Sequence, residues 1–114
     1  MANLKNNSQY KVFIVEDNVL YARILKKQLL DDNYQVKVFH NGTDFLESLN
    51  EKPDVVTLDY TLPDMTGQHV LDKIQKDLPS AHVIVISAQE NITTAINLMK
   101  NGAYDYIMKA PDTR

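Results

Sequence analysis

Four continuous apolar runs punctuate the chain: Val12-Phe13-Ile14-Val15, Val55-Val56-Thr57-Leu58, Val83-Ile84-Val85-Ile86 and Tyr106-Ile107-Met108. A fifth, Val36 to Phe39, is broken only by Lys37. Runs of this length between polar segments read as strands buried on both faces. Between them lie stretches with apolar residues at helical spacing. Alternation of this kind predicts βαβ units and a parallel sheet.

The pattern places β1 at Lys11–Val15 and α1 at Asn18–Leu30, with Leu20, Ile24 and Leu25 as its inward stripe. Asn33 and Tyr34 turn the chain into β2, Val36–Phe39. Helix α2 follows at Thr43–Leu49, entered through Asn41-Gly42, with Pro53 beyond it. Then come β3 at Val55–Leu58, α3 at Gly67–Leu78 closed by Pro79, and β4 at Val83–Ile86. Helix α4, Ile92–Lys100, ends at the cap signal Asn101-Gly102, and β5 is Asp105–Met108. Right-handed crossovers then put α1 on one face and α2, α3 and α4 on the other, in a flavodoxin-like, doubly wound α/β fold with strand order 2-1-3-4-5.

Composition bounds what such a domain can do. The 114 residues suffice for one domain with a core, and 44% hydrophobic and 24% charged residues are ordinary for a globular protein. A net charge of −3 gives no support to direct nucleic-acid binding by this segment. Without cysteine there are neither disulfides nor thiolate metal sites, which fits the cytoplasm. No apolar stretch approaches the roughly 20 residues of a membrane helix. Residues 1–9 are polar, lack the core of a signal peptide and read as a flexible leader to one domain over residues 10–114.

The chemistry sits where the strands end. Glu16 and Asp17 follow β1, Asp59 follows β3, Ser87 follows β4 and Lys109 follows β5. In an open α/β sheet, ligands bind beyond the carboxyl ends of the strands, so these five residues converge. Singly, each has an ordinary explanation: Asp59 a turn residue, Glu16-Asp17 a helix-dipole pair, Ser87 a cap, Lys109 a surface lysine. Their joint occurrence at four strand ends is what those explanations leave out. Three crowded carboxylates call for a divalent cation, and a hard, oxygen-bound ion such as Mg²⁺ fits. A lysine and a hydroxyl beside it suit an anion with several oxygens, most simply a phosphoryl group.

From Lys11 to Pro111 the chain resembles the receiver domain of two-component response regulators. The resemblance rests on Val15-Glu16-Asp17-Asn18, on Leu58-Asp59-Tyr60-Thr61-Leu62-Pro63-Asp64-Met65-Thr66-Gly67, on Val85-Ile86-Ser87-Ala88, and on Asn101-Gly102-Ala103-Tyr104-Asp105-Tyr106-Ile107-Met108-Lys109. It implies that Asp59 is the phosphoacceptor, a carboxylate nucleophile. Asp17 would be a direct Mg²⁺ ligand, Glu16 one acting through water, and the Thr61 main-chain carbonyl a third protein ligand. Ser87 and Lys109 would hold phosphoryl oxygens. Tyr106 would be the aromatic switch coupled to Ser87.

The resemblance further implies a sensor histidine kinase, a histidine phosphotransfer protein or a small phosphodonor as the source of phosphate. A downstream effector would read the α4–β5 surface. The alternative is a Mg²⁺-dependent phosphatase or phosphotransferase on a small substrate, but the familiar second aspartate two residues after the nucleophile would fall at Thr61. A flavin or nucleotide module would need a glycine- or hydroxyl-rich loop where Glu16-Asp17-Asn18 stands. Two departures from the family pattern stand out. Ala110 intervenes between Lys109 and Pro111, where a cis Lys109–Ala110 bond is expected. The family's fifth helix is missing from this chain, so an uncovered α1 face, self-association and a native continuation beyond Arg114 are expected.

Overall fold

The computed structural model describes residues 7–88 and 92–109. Strands β1 (Lys11–Val15), β2 (Gln35–Phe39), β3 (Val55–Asp59), β4 (His82–Ser87) and β5 (Asp105–Met108) form one parallel sheet in the order β2-β1-β3-β4-β5. They are linked by α1 (Val19–Asp31), α2 (Gly42–Glu47), α3 (Gly67–Asp77) and α4 (Ile92–Lys100). This is the topology the apolar runs predict.

Register and alternation assign the two faces. Phe13 pairs with Val56 and Val56 with Val83; Val15 pairs with Leu58 and Leu58 with Val85. These side chains form one core cluster with Phe45 of α2, Val70, Leu71 and Ile74 of α3, and Leu98 of α4. The rings of Phe13, Phe39 and Phe45 meet tilted or edge-on at 5.2 to 6.4 Å, the arrangement favoured by aromatic quadrupoles. Val12, Ile14, Thr57 and Ile86 are buried outside that cluster, on the opposite face, where α1 packs across β1 and β2.

Helix α1 corrects one expectation. Its inward side is Ala22, buried, with Leu25 and Leu29 partly buried, whereas Leu20 and Ile24 are 64% and 51% exposed. Asn18 is the N-cap, its side chain accepting from the Tyr21 N–H at 2.9 Å, and this sets the rotational phase of the helix. Ala22, Leu25 and Leu29 then share a face at spacings of three and four.

Smaller differences have local causes. Helix α2 ends at Glu47, and Leu49–Glu51 is a separate 3-10 turn closed by Lys52 in the left-handed region (φ 59°) before Pro53. A proline disfavours a right-handed helical residue before it. Asn7–Gln9, read from the sequence as leader, form a 3-10 turn tied to the domain. Asn7 Nδ2 donates to the Asp32 carbonyl at 2.7 Å, and Gln35 Nε2 donates to the Ser8 carbonyl. Helix α4 ends as its Asn-Gly signal predicts, with Gly102 at φ 109° and the Ala103 N–H reaching the Leu98 carbonyl at 3.0 Å. The expected cis Lys109–Ala110 bond lies outside the described residues. Among the described residues, no helix is long and apolar enough to cross a membrane.

Candidate functional site

Because the strands are parallel, their carboxyl ends deliver side chains to one edge. Glu16 and Asp17 leave β1, Asp59 closes β3, Ser87 closes β4 and Lys109 follows β5. Glu16, Asp59 and Ser87 are buried, Asp17 is exposed and Lys109 lies between. One carboxylate oxygen from each of Glu16, Asp17 and Asp59 lies within 4.8 Å of the others. The Lys109 ammonium stands 3.0 Å from Glu16 Oε2 and 3.8 Å from Asp59 Oδ2.

Backbone contacts hold this edge together. The Glu16 N–H donates to the Phe39 carbonyl at 2.9 Å, and Glu16 Oε2 also accepts from the Asn18 N–H at 3.1 Å. His40 Nδ1 lies 2.9 Å from the Glu16 carbonyl. Asp59 Oδ1 accepts from the Thr61 N–H at 3.1 Å, and the Lys109 N–H reaches the Ser87 carbonyl at 2.8 Å. Tyr106 is half-buried against the core on β5, opposite Val85, while Ser87 pairs with Met108; both therefore project from the same sheet face.

The loop from Tyr60 to Thr66 is latched at both ends. The Gly67 N–H donates to the Tyr60 carbonyl at 2.8 Å, and Thr61 bridges Thr66. Asp64 reaches across to α2: its carboxylate accepts from the Gly42 N–H at 2.9 Å, the Thr43 N–H at 2.8 Å and the Thr43 hydroxyl at 2.6 Å. These bonds hold the Asp64 carboxyl down at about 2, the Thr43 hydroxyl contributing most.

The Asp59 carboxyl is pushed up to about 8. Burial is the largest cause, followed by hydrogen bonding with Asp17 and with Glu16 and by the negative charge of Glu16; the Thr61 N–H opposes them. At Lys109, burial favours the neutral form. The hydrogen bond to Glu16 and the charges of Asp59 and Glu16 outweigh it, and the ammonium is held above its ordinary range. Three carboxylates, two of them buried, fit a hard divalent cation, which would replace the proton that Asp59 otherwise retains. A groove of about 470 Å³ opens elsewhere, beside Leu46, Leu49, Lys52 and Lys73.

Comparison with known proteins settles the family. The family model described as the response regulator receiver domain matches residues 12–114. This chain belongs to that family. As a receiver domain it is a signalling module of two-component systems. It is 40% identical over 105 residues to the NtrX-like response regulator of Rickettsia conorii, covering 90% of this chain and 22% of that protein. The receiver domain thus spans about a fifth of the curated relatives it matches. The solved signal receiver domain of a LuxO repressor protein from Vibrio parahaemolyticus superposes with a TM-score of 0.85 at 32% identity, over 90% of this chain and 80% of that one. A response regulator from Burkholderia pseudomallei, solved with a phosphorylated aspartic acid, a calcium ion and citrate, gives 0.83 at 26% identity, over 90% and 61%.

Two contacts of this receiver domain were not singled out from the sequence. The Lys109 ammonium lies 4.6 Å from the centroid of the Tyr21 ring. Tyr21 lies in the first turn of α1, three residues after its N-cap Asn18, and no sequence pattern links it to a lysine 88 positions away. The Asp64 bonds to α2 join residues 21 and 22 positions apart, and no local pattern announces them.

Proposed function

We propose that Asp59 is the phosphoacceptor of a phosphorylation-activated switch. A sensor histidine kinase, a histidine phosphotransfer protein or a small phosphodonor supplies the phosphoryl group. An Asp59 oxygen attacks phosphorus, the bond to the donor's imidazole nitrogen or acyl oxygen breaks, and the donor leaves with its electron pair. Lys109 pairs with one phosphoryl oxygen and the Ser87 hydroxyl donates to another. Asp17, Asp59 and the Thr61 carbonyl would hold Mg²⁺ directly and Glu16 through a water, and the ion would neutralise charge on the transferring group.

The observation that carries this reading is the position of Asp59. It is buried, its carboxylate is within 4.8 Å of two others, and it lies 3.8 Å from a lysine ammonium at the carboxyl edge of the sheet. The phosphorylated aspartic acid and calcium ion of the Burkholderia pseudomallei relative are consistent with it. Ser87 and Tyr106 form the switch, and the α4–β5 surface, where Ile92, Ile96, Tyr104 and Ile107 are exposed, passes the state to an effector or to a second copy. The domain extends over residues 10–114 and works in the cytoplasm, without binding nucleic acid itself.

Incubation with acetyl phosphate and Mg²⁺, followed by intact mass and peptide mapping, tests the assignment. A single alkali-labile phosphate on Asp59 is expected. An equally abundant adduct in Asp59→Asn overturns it.

A further inference from the structure

Among the described residues the Lys109 ammonium meets two carboxylates and one ring, and the two carboxylates have other work in the proposed reaction. Glu16, at 3.0 Å, belongs to the metal-binding group, and Asp59, at 3.8 Å, is the attacking carboxylate. Glu16 Oε2 already accepts from both Lys109 and the Asn18 N–H. An oxygen turned toward a cation is drawn from the lysine, and Asp59, once an acyl phosphate, no longer carries a carboxylate charge. Both attractions therefore weaken as the reaction proceeds.

The third neighbour does not change. The Tyr21 ring lies 4.6 Å from the ammonium, well inside the reach of a cation–π contact. The ring attracts the ammonium through its quadrupole and leaves the full positive charge available to a phosphoryl oxygen. Its placement is fixed by the sequence: Asn18 caps α1 through the N–H of Tyr21 itself, at 2.9 Å, so the residue that starts the helix also sets the ring's anchor. Lys109 is tethered in turn by its N–H to the Ser87 carbonyl at 2.8 Å. Ring and ammonium are each held from the backbone, on different elements.

We propose that Tyr21 is a positioning residue that keeps the Lys109 ammonium over the phosphoryl site while its carboxylate partners change. This rests on the reading of Asp59 as the phosphoacceptor. The aromatic face carries the role, and the phenolic hydroxyl is dispensable.

The test measures adduct formation from acetyl phosphate as a function of donor concentration, in wild type, Tyr21→Phe and Tyr21→Leu, with Mg²⁺ affinity titrated separately. Tyr21→Phe should stay within about twofold of wild type, and Tyr21→Leu should lower the maximal rate about three- to tenfold at unchanged Mg²⁺ affinity. In a Lys109→Ala background the same Tyr21→Leu change should cost nothing further. Selectively labelled lysine NMR gives a second readout: the Lys109 Cε protons should lose their ring-current shift in Tyr21→Leu and keep it in Tyr21→Phe. A Tyr21→Leu protein as fast as wild type, or one equally impaired without Lys109, overturns the proposal and leaves Asp59 as phosphoacceptor. A wild type that stays unmodified at Asp59 overturns both.

Discussion

Glu16 and Lys109 form a nearly dry ion pair, 3.0 Å from Oε2 to Nζ, with the two side chains 3% and 17% exposed. The same carboxylate raises the pKa of Asp59 through a hydrogen bond and through its charge. Glu16 thus serves the lysine and opposes ionisation of the aspartate. In metal-free protein, Glu16→Gln should lower the Asp59 pKa from about 8, because one negative neighbour is gone. A carbon-13 pH titration of the Asp59 carboxyl reads this directly; an unmoved midpoint would contradict it.

Asp59 should also make metal-free stability depend on pH. Its pKa is raised from 3.8 to about 8, so between those values the folded protein holds a proton that the unfolded chain has released. Stability is therefore lost as pH rises through that window, and the loss is complete above it. Asp59→Asn removes the effect. Calorimetry in chelator should show the variant gaining on wild type from pH 5 to pH 8, reaching a Tm advantage on the order of 5 °C. Mg²⁺ added to wild type should narrow that gap. A constant difference across pH would count against a raised Asp59 pKa, whether from burial or from its carboxylate neighbours.

Asp64 has the opposite sign. Its pKa is lowered from 3.8 to about 2, so its bonds to Gly42 and Thr43 stabilise the fold above pH 4 and are lost as pH falls toward 2. Asp64→Ala should flatten the acid limb of the stability curve and leave the alkaline limb alone. Because the carboxylate is exposed, the effect is modest and weakens in salt.

The two glycines that border this latch differ in what a methyl would meet. At Gly67 a Cβ would sit 2.7 Å from Tyr60 Cα, which is backbone adjoining Asp59. At Gly42 it would sit 2.5 Å from Met65 Sδ, a flexible side chain. Gly67→Ala should cost about 2–3 kcal/mol by urea unfolding and slow phosphorylation, whereas Gly42→Ala should cost about 1 kcal/mol. Equal costs would mean that the loop yields at Tyr60 as readily as Met65 does.

Much of this was legible because continuous apolar runs leave little freedom. Strands β1 and β5 begin and end where the hydrophobic pattern places them, and parallel topology then gathers Glu16, Asp17, Asp59, Ser87 and Lys109. Helix α1 was harder. Its leucines and isoleucines support two stripes, and only the cap at Asn18 chooses Ala22, Leu25 and Leu29 over Leu20 and Ile24. The contacts of Asp64 and Tyr21 depend on distances between elements, which periodicity does not encode.

The Tyr21 contact has an optical consequence. The protein has six tyrosines and no tryptophan, so its ultraviolet emission comes from tyrosine alone. Tyr21 lies against the ammonium at the site, Tyr60 adjoins Asp59, and Tyr106 packs beneath the same edge; Tyr10, Tyr34 and Tyr104 lie outside this group. Half of the fluorophores therefore surround the chemistry, and the chain carries its own unlabelled reporter of the charge rearrangement there.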